Sequence, residues 1–191
     1  MAKRTEVVLA GLAGQGLVSA GAILADAVGL LEGKFVSQLG FYGTSVRTGP
    51  SRAEVVVGEE EIDFPAATCP DIVVAFTQSD AKSFGHKMRP GSILIVDSDQ
   101  EVIGLSESLS VYRLPFLTIA KERLREELLM SMVALGAVAA ISNVVSIKSL
   151  EQTVANQFPG SRGKRNLEAL REGYNVGLLA QPVRIYASKG E

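Results

Sequence analysis

Two glycine-rich segments hold most of the residues in this chain that could contact a ligand. The first is Gly11-Leu12-Ala13-Gly14-Gln15-Gly16, directly after the apolar run Val7-Val8-Leu9-Ala10. A glycine turn between a strand and a helix leaves backbone N–H groups free at the positive end of the helix, which makes a ready anion site. The spacing Gly-x-x-Gly-x-Gly is not the Gly-x-Gly-x-x-Gly of a dinucleotide turn. Gln38 stands where the acid for a ribose hydroxyl would be expected. No lysine is placed as in a triphosphate-binding loop. Two readings stay open: a phosphate-type ligand, or glycines that permit tight strand-to-helix packing and the approach of a neighbouring chain.

The second segment runs from Phe41 to Arg52 and carries Tyr42, Gly43, Arg47, Thr48 and Gly49. In open parallel sheets the loops at the carboxyl ends of the strands line the ligand crevice, so the two segments are expected on one sheet edge. Arg47 and Arg52 could clamp a phosphate or carboxylate with their planar donor forks. They could equally pair with carboxylates such as Glu54. Tyr42 could stack on a base or on a partner side chain.

The remaining candidates are weaker. The single histidine, His86, lies beside a turn and reads as a surface or capping residue. Asp97 and Asp99 follow a strand, which could serve catalysis or Mg²⁺, but Asp-Ser-Asp is also an ordinary turn. The one cysteine, Cys69, can form no internal disulfide, and an iron–sulfur cluster needs about four thiolates. A sheet edge suited to a ligand, without catalytic groups beside it, suggests a subunit that completes another chain's site.

The elements that must position these residues follow from periodicity. Leu17, Ala20, Leu24, Ala27, Val28 and Leu31 fall at helical spacing, and Gly33 supplies a stop. Strands are expected at 7–10, 34–39, 52–57, 71–76, 92–96 and 111–114, with a short helix over 78–84. The order strand, glycine turn, helix, strand predicts a crossover in a parallel sheet. One helix is expected over 116–143 and two more over 149–157 and 165–177. The predicted fold is α/β: a Rossmann-like, doubly wound, mostly parallel sheet over about 1–115, helices packed on it over about 116–180, and a short tail to 191. Together these form a single domain.

Hydrophobic residues make up 47% and charged residues 21% of the 191, the balance of a folded globular chain. The formal net charge of −2 gives no general pull toward nucleic acid or an acidic membrane. The most apolar stretch, Met132 to Ile141, is short of the roughly 20 residues a span requires. The chain starts straight into a strand-like segment with no signal-peptide apolar region. A reducing, cytoplasmic compartment is expected.

The run Val8 to Gly16, with its closing Ala-Gly-Gln-Gly, resembles the opening of the gamma subunits of 2-oxoacid:ferredoxin oxidoreductases. So does the segment from Tyr42-Gly43 through Arg47 and Gly49 to Ser51-Arg52-Ala53-Glu54-Val55. Asp63-Phe64-Pro65, the stretch Pro90 to Asp97, Met132 to Ala137, Asn166 to Leu170 and Gly173-Tyr174 extend the likeness over about residues 5–177. Ala13 replaces a glycine of the first motif, and Ser131 stands where the resemblance leads one to expect asparagine. The resemblance implies an accessory subunit, inactive when isolated. Its enzyme makes acyl-CoA and CO₂ from a 2-oxoacid and coenzyme A. Thiamine diphosphate, Mg²⁺ and the catalytic iron–sulfur cluster are expected in alpha and beta partners, and ferredoxin as acceptor, with a ferredoxin-like delta subunit as a further partner. Coenzyme A would be shared, its phosphates near Gly11, Gly14, Gln15, Gly16, Tyr42, Gly43, Arg47, Thr48, Gly49 and Arg52, or these residues would form the subunit interface. The second loop lacks the wording of pyruvate enzymes, which favours 2-oxoglutarate. An isolated copy is expected to self-associate through the face meant for a partner. The alternatives are a stand-alone dinucleotide- or flavin-binding oxidoreductase and the equivalent subunit of an indolepyruvate enzyme.

Overall fold

The computed structural model describes residues 4–43 and 49–183. Six strands form one sheet in the order β2-β3-β1-β4-β5-β6. They are β1 (Arg4–Leu12), β2 (Phe35–Tyr42), β3 (Pro50–Gly58), β4 (Ile72–Ala75), β5 (Ile93–Asp97) and β6 (Ser110–Leu114). Every expected strand is present, most of them a residue or more longer than the apolar run that marked it. Pairings β1–β4, β4–β5 and β5–β6 are parallel.

The expected crossover needs a correction. β3 pairs antiparallel with both β1 and β2, so it lies between them. β2 therefore runs with β1 but is not its neighbour, and the sheet is mixed. A hairpin joins β2 to β3 in sequence, and hairpin partners pair readily because closing a short loop costs little entropy.

Alternation along β1 places Val7 and Leu9 in one core layer and Val8 and Ala10 in the other. The larger layer lies under α1 (Leu17–Asp26), whose last turn widens into a π turn over Ala27–Leu31. The smaller layer includes Ala81 of α2 (Gln78–Gly85).

The helix expected over 116–143 is broken. A short turn α3 (Phe116–Thr118) runs into a π turn over Ile119–Arg123, and Arg125 then adopts a left-handed φ of 55°. The Leu124 N–H reaches back to the Ile119 carbonyl at 3.0 Å, and the Arg165 guanidinium donates to the freed Leu124 carbonyl. A 3₁₀ turn over Glu127–Leu129 then starts α4 (Met130–Ser142). The apolar pattern passes through this break because buried residues on both sides of it join one apolar cluster, so periodicity could not reveal it. Ten of the thirteen α4 residues are buried. α5 (Ile147–Gln157) and α6 (Gly160–Leu179) complete the helical layer. Buried residues of α1, α4, α5 and α6 belong to one apolar cluster with the sheet.

Candidate functional site

The glycine turn closes on its own glutamine. The Leu12 N–H donates to Gln15 Oε1 at 2.7 Å, and the Gln15 N–H donates to the Leu12 carbonyl at 3.3 Å. A side chain at Gly11 would overlap Gln15 Oε1, so Gly11 makes room for that closure. Gly14 (φ 91°) and Gly16 (φ 77°) take left-handed backbone that other residues adopt at a cost. Gly16 caps α1 with no side-chain hydrogen bond, and no acid lies in the first turn. The first amides of this helix therefore have no side-chain cap and no acid of their own turn beside them, which suits an anion site.

The hairpin joins this turn as expected. The Ala13 N–H donates to the Gly49 carbonyl at 2.9 Å, which ties both glycine segments to one edge. The Gly43 N–H donates to the Pro50 carbonyl at 2.7 Å. Tyr42 is 72% exposed. Arg47 and Thr48 lie outside the described residues.

Arg52 takes the intrachain role. Its Nε donates to Glu54 Oε1 at 2.8 Å, and its guanidinium lies 4.0 Å over the Phe41 ring and 5.9 Å from that of Phe84. Glu54 is buried and accepts the Ala67 N–H at 3.1 Å with its other oxygen. Arg52 thus lines a cleft of about 250 Å³ with Phe41, Tyr42, Gly43, Asp80 and Phe84. The sequence reading missed Asp80 and Phe84. Their only signal is that α2 follows β4, whose carboxyl end opens on the same edge.

Burial pushes the Asp80 carboxyl above its usual range, and the Thr77 hydroxyl offsets this only in part. A carboxyl raised on folding weakens the fold once it is ionised. Asp80→Asn is expected to raise the melting temperature at neutral pH. The gain should fade as pH falls below 3.8, the ordinary aspartate value, where both states are protonated. Parallel melts at about pH 7 and about pH 3 check the sign.

The other candidates resolve structurally. Asp97 is buried and accepts the Asp99 N–H at 3.0 Å and the Leu117 N–H at 2.8 Å, so it shapes the turn and caps the start of α3. His86 is exposed and closes α2. Cys69 Sγ contacts the Lys87 carbonyl at 3.1 Å. Among the described residues, no group of three or more His, Cys, Asp or Glu could hold a metal ion, and no helix is long and apolar enough to cross a membrane.

The family model for pyruvate ferredoxin/flavodoxin oxidoreductase matches residues 6–176. The chain belongs to this family. It is similar to the KorC subunit of 2-oxoglutarate synthase from Methanocaldococcus jannaschii, with 34% identity over 91% of this chain and 94% of the relative. It is also similar to the common gamma subunit of pyruvate/ketoisovalerate oxidoreductases from Thermococcus litoralis, with 31% identity over 88% of this chain and 95% of that one. The solved gamma subunit of a keto/oxoacid ferredoxin oxidoreductase from Geobacter sulfurreducens superposes with a TM-score of 0.84 and 30% identity, covering 94% of this chain and 99% of that one. The expected identity, a gamma-type subunit of a 2-oxoacid:ferredoxin oxidoreductase that works as a complex, therefore holds. The relatives named above lend no support to a stand-alone dinucleotide or flavin enzyme, nor to an indolepyruvate assignment. The 2-oxoglutarate:ferredoxin oxidoreductase of Magnetococcus marinus, solved with 2-oxoglutarate, coenzyme A and succinyl-CoA, has a TM-score of 0.84 at 23% identity; the match covers 97% of this chain and 33% of that one, and it shows the shared fold.

Proposed function

We propose that this gamma-type subunit, one domain over residues 1–191, serves a cytoplasmic enzyme that converts 2-oxoglutarate and coenzyme A to succinyl-CoA and CO₂. The observation that carries the reading is the joined glycine edge, donor-rich and without an acid in the first turn of α1, in a chain whose KorC-named relative aligns nearly end to end. In this role, Gly14 and Gly16 shape a backbone cradle for a coenzyme A phosphate, and Gln15 and Gly11 keep the turn closed. Tyr42, Gly43, Gly49 and Arg52 form the adjoining wall, and the same ligand is assigned to Arg47 and Thr48.

The donor set does not fit the redox groups of such an enzyme. One cysteine supplies at most one thiolate, against the roughly four of an iron–sulfur cluster. Thiamine diphosphate, Mg²⁺ and the clusters are accordingly assigned to alpha, beta and delta partners, and ferredoxin to the acceptor role. The exposed Leu12, Tyr42 and Leu128 near the glycine edge fit a surface covered by a partner, and an isolated chain would self-associate there.

The test is co-purification of the tagged chain from its own cytosol, with 2-oxoacid- and coenzyme-A-dependent dye reduction. Recovery of a thiamine-binding and a cysteine-rich partner, with activity in the complex and preference for 2-oxoglutarate, is the expected result. In that complex, Arg47→Ala and Arg52→Ala are each expected to raise the KM for coenzyme A several-fold with assembly intact, Arg52 acting through the terminal guanidinium nitrogens while its Nε stays with Glu54. Unchanged coenzyme A affinity in both would remove the ligand part of the reading. A chain that purifies alone with a bound chromophore would overturn the subunit role.

A further inference from the structure

β2 ends the sheet, and no strand among the described residues pairs with its outer side. The other end is treated differently. The Val183 N–H donates to the Val111 carbonyl of β6 at 2.7 Å, so a later segment of the chain begins to cover that edge. Open edges usually carry a charge, a proline or a bulge that stops a further strand from adding. β2 has none of these. Its residues, Phe35 to Tyr42, include no charged side chain and no proline. Its register with β3 runs unbroken, from Phe35 opposite Gly58 to Tyr42 opposite Ser51.

That register fixes where each backbone group points. The Gly43 N–H donates to the Pro50 carbonyl, which continues the ladder by one pair. Bonded pairs alternate along an antiparallel ladder, so Phe35, Ser37, Leu39 and Phe41 direct their backbone groups at β3. Val36, Gln38, Gly40 and Tyr42 direct theirs outward. Such a row of N–H and C=O groups is matched by another extended strand.

A second copy of β2 matches it in both backbone and side chains. Gln38 is the middle one of Val36, Gln38 and Gly40. Two antiparallel copies with a two-fold axis at Gln38 join Gln38 to Gln38 and Val36 to Gly40 through about six backbone hydrogen bonds. Val36 and Gly40 lie on the face toward α1, where a Cβ on Gly40 would meet Val18. On the other face the same register sets Phe35 opposite Phe41 and Ser37 opposite Leu39. Phe35 is 50% exposed, and an aromatic cross-strand pair would cover it. No like charges meet. Leu30 and Leu31, in the π turn whose Gly29 lies against Val36, are also exposed and extend the apolar surface beside the edge.

We propose that β2 is a homodimer contact, in which two copies of this chain pair their β2 strands antiparallel across a two-fold axis at Gln38 and join their sheets into one. The carboxyl ends of the two strands then point apart, so each copy keeps its glycine edge for the partners of the enzyme. The contact goes beyond the subunit role and does not depend on what the glycine turn binds.

The experiment uses the full chain. Bonded antiparallel pairs hold their Cα atoms about 5.5 Å apart, within reach of a disulfide. Cys69→Ser removes the only native thiol. In that background, Gln38→Cys is expected to give a covalent dimer on mild oxidation, whereas Glu107→Cys, beside β6, gives none. Light scattering of the wild type at roughly 100 µM is expected to give the mass of two chains. Gln38→Lys brings two ammonium groups together on the axis and is expected to weaken dimerisation about tenfold or more. Gln38→Pro removes only an outward N–H, which an edge strand tolerates, and is expected to weaken it as much. Gln38→Lys should melt with the wild type, so its lower mass reads the contact rather than the fold. A wild type with the mass of one chain, together with no covalent dimer from Gln38→Cys, would overturn the proposal. So would a two-chain mass that both Gln38→Lys and Gln38→Pro retain. In the co-purified complex, a Gln38→Cys cross-link to a different chain would assign the edge to a partner's strand and overturn the second copy as its occupant.

Discussion

Gly173→Ala is expected to destabilise the chain by about 3 kcal/mol or more, the upper range for added bulk in a packed core. A Cβ at Gly173 would overlap the Val133 carbonyl oxygen, and one at Gly136 would overlap the carbonyl oxygen of Leu170. Those obstacles are backbone, which cannot rotate aside as a side chain does. The two helices α4 and α6 would have to separate along their whole contact, where Gly177 also sits against the Ala137 backbone. In a domain of this size, about 3 kcal/mol corresponds to a fall in Tm of roughly 6–12 °C. Urea denaturation of the purified chain measures it, and Gly136→Ala should behave alike because it fills the same crossing. A loss under about 1 kcal/mol in both variants would mean that the helices do not cross this closely.

Glu6→Gln is expected to cost about 2–3 kcal/mol, since bonds to an ionised acceptor are lost inside the fold. Glu6 is 3% exposed in β1 and accepts the Thr68 and Cys69 N–H groups, each at 2.7 Å, and Arg4 Nε at 2.9 Å. An amide replaces one acceptor oxygen with a donor, so either the two loop amides or Arg4 face an N–H. Burial by itself raises the Glu6 carboxyl, but the Cys69 amide, the Arg4 guanidinium and the Thr68 amide together outweigh it and hold the carboxyl below the ordinary glutamate range. A carboxyl lowered on folding contributes stability that is complete above its unfolded value and lost as pH falls through its folded value. The gap between wild type and Glu6→Gln should therefore be full at neutral pH and close below 4.5, the ordinary value, as the carboxyl takes up its proton. Denaturation at a series of pH values tests this, and a gap that widened with acid would contradict it.

Both predictions concern features that no sequence pattern announced. Glu6 reads as one polar residue at the start of a strand, and nothing nearby names Thr68 or Cys69 as its partners. Gly173 and Gly177 read as helix-weakening residues in a segment that is nonetheless helical over 20 residues. Their meaning lies in α4, more than thirty residues earlier. The candidate site divides in the same way. The sequence placed the glycine turn and the hairpin on one edge, because strand order and chain direction decide where loops emerge. It could not assign Arg52 to Glu54 and Phe41 over a ligand, because a guanidinium suits either. It also could not bring Asp80, Phe84 or Ser131 to the edge, since the first two arrive on α2 and the third on α4.

Local periodicity by itself determined the six strand segments, the helix segments outside 116–143, the α/β class and the glycine turn at the head of the first helix. The order of motifs from the first strand to the last helix determined the family. Those properties depend on residues close in sequence, where backbone geometry converts spacing directly into shape. Only the tertiary structure decided that β3 lies between β1 and β2, that Arg125 breaks the helix expected over 116–143, and that Ser131 stands opposite Gly16. Each depends on which distant surfaces pack together, and burial pairs surfaces by shape and volume, which a single chain's spacing does not encode.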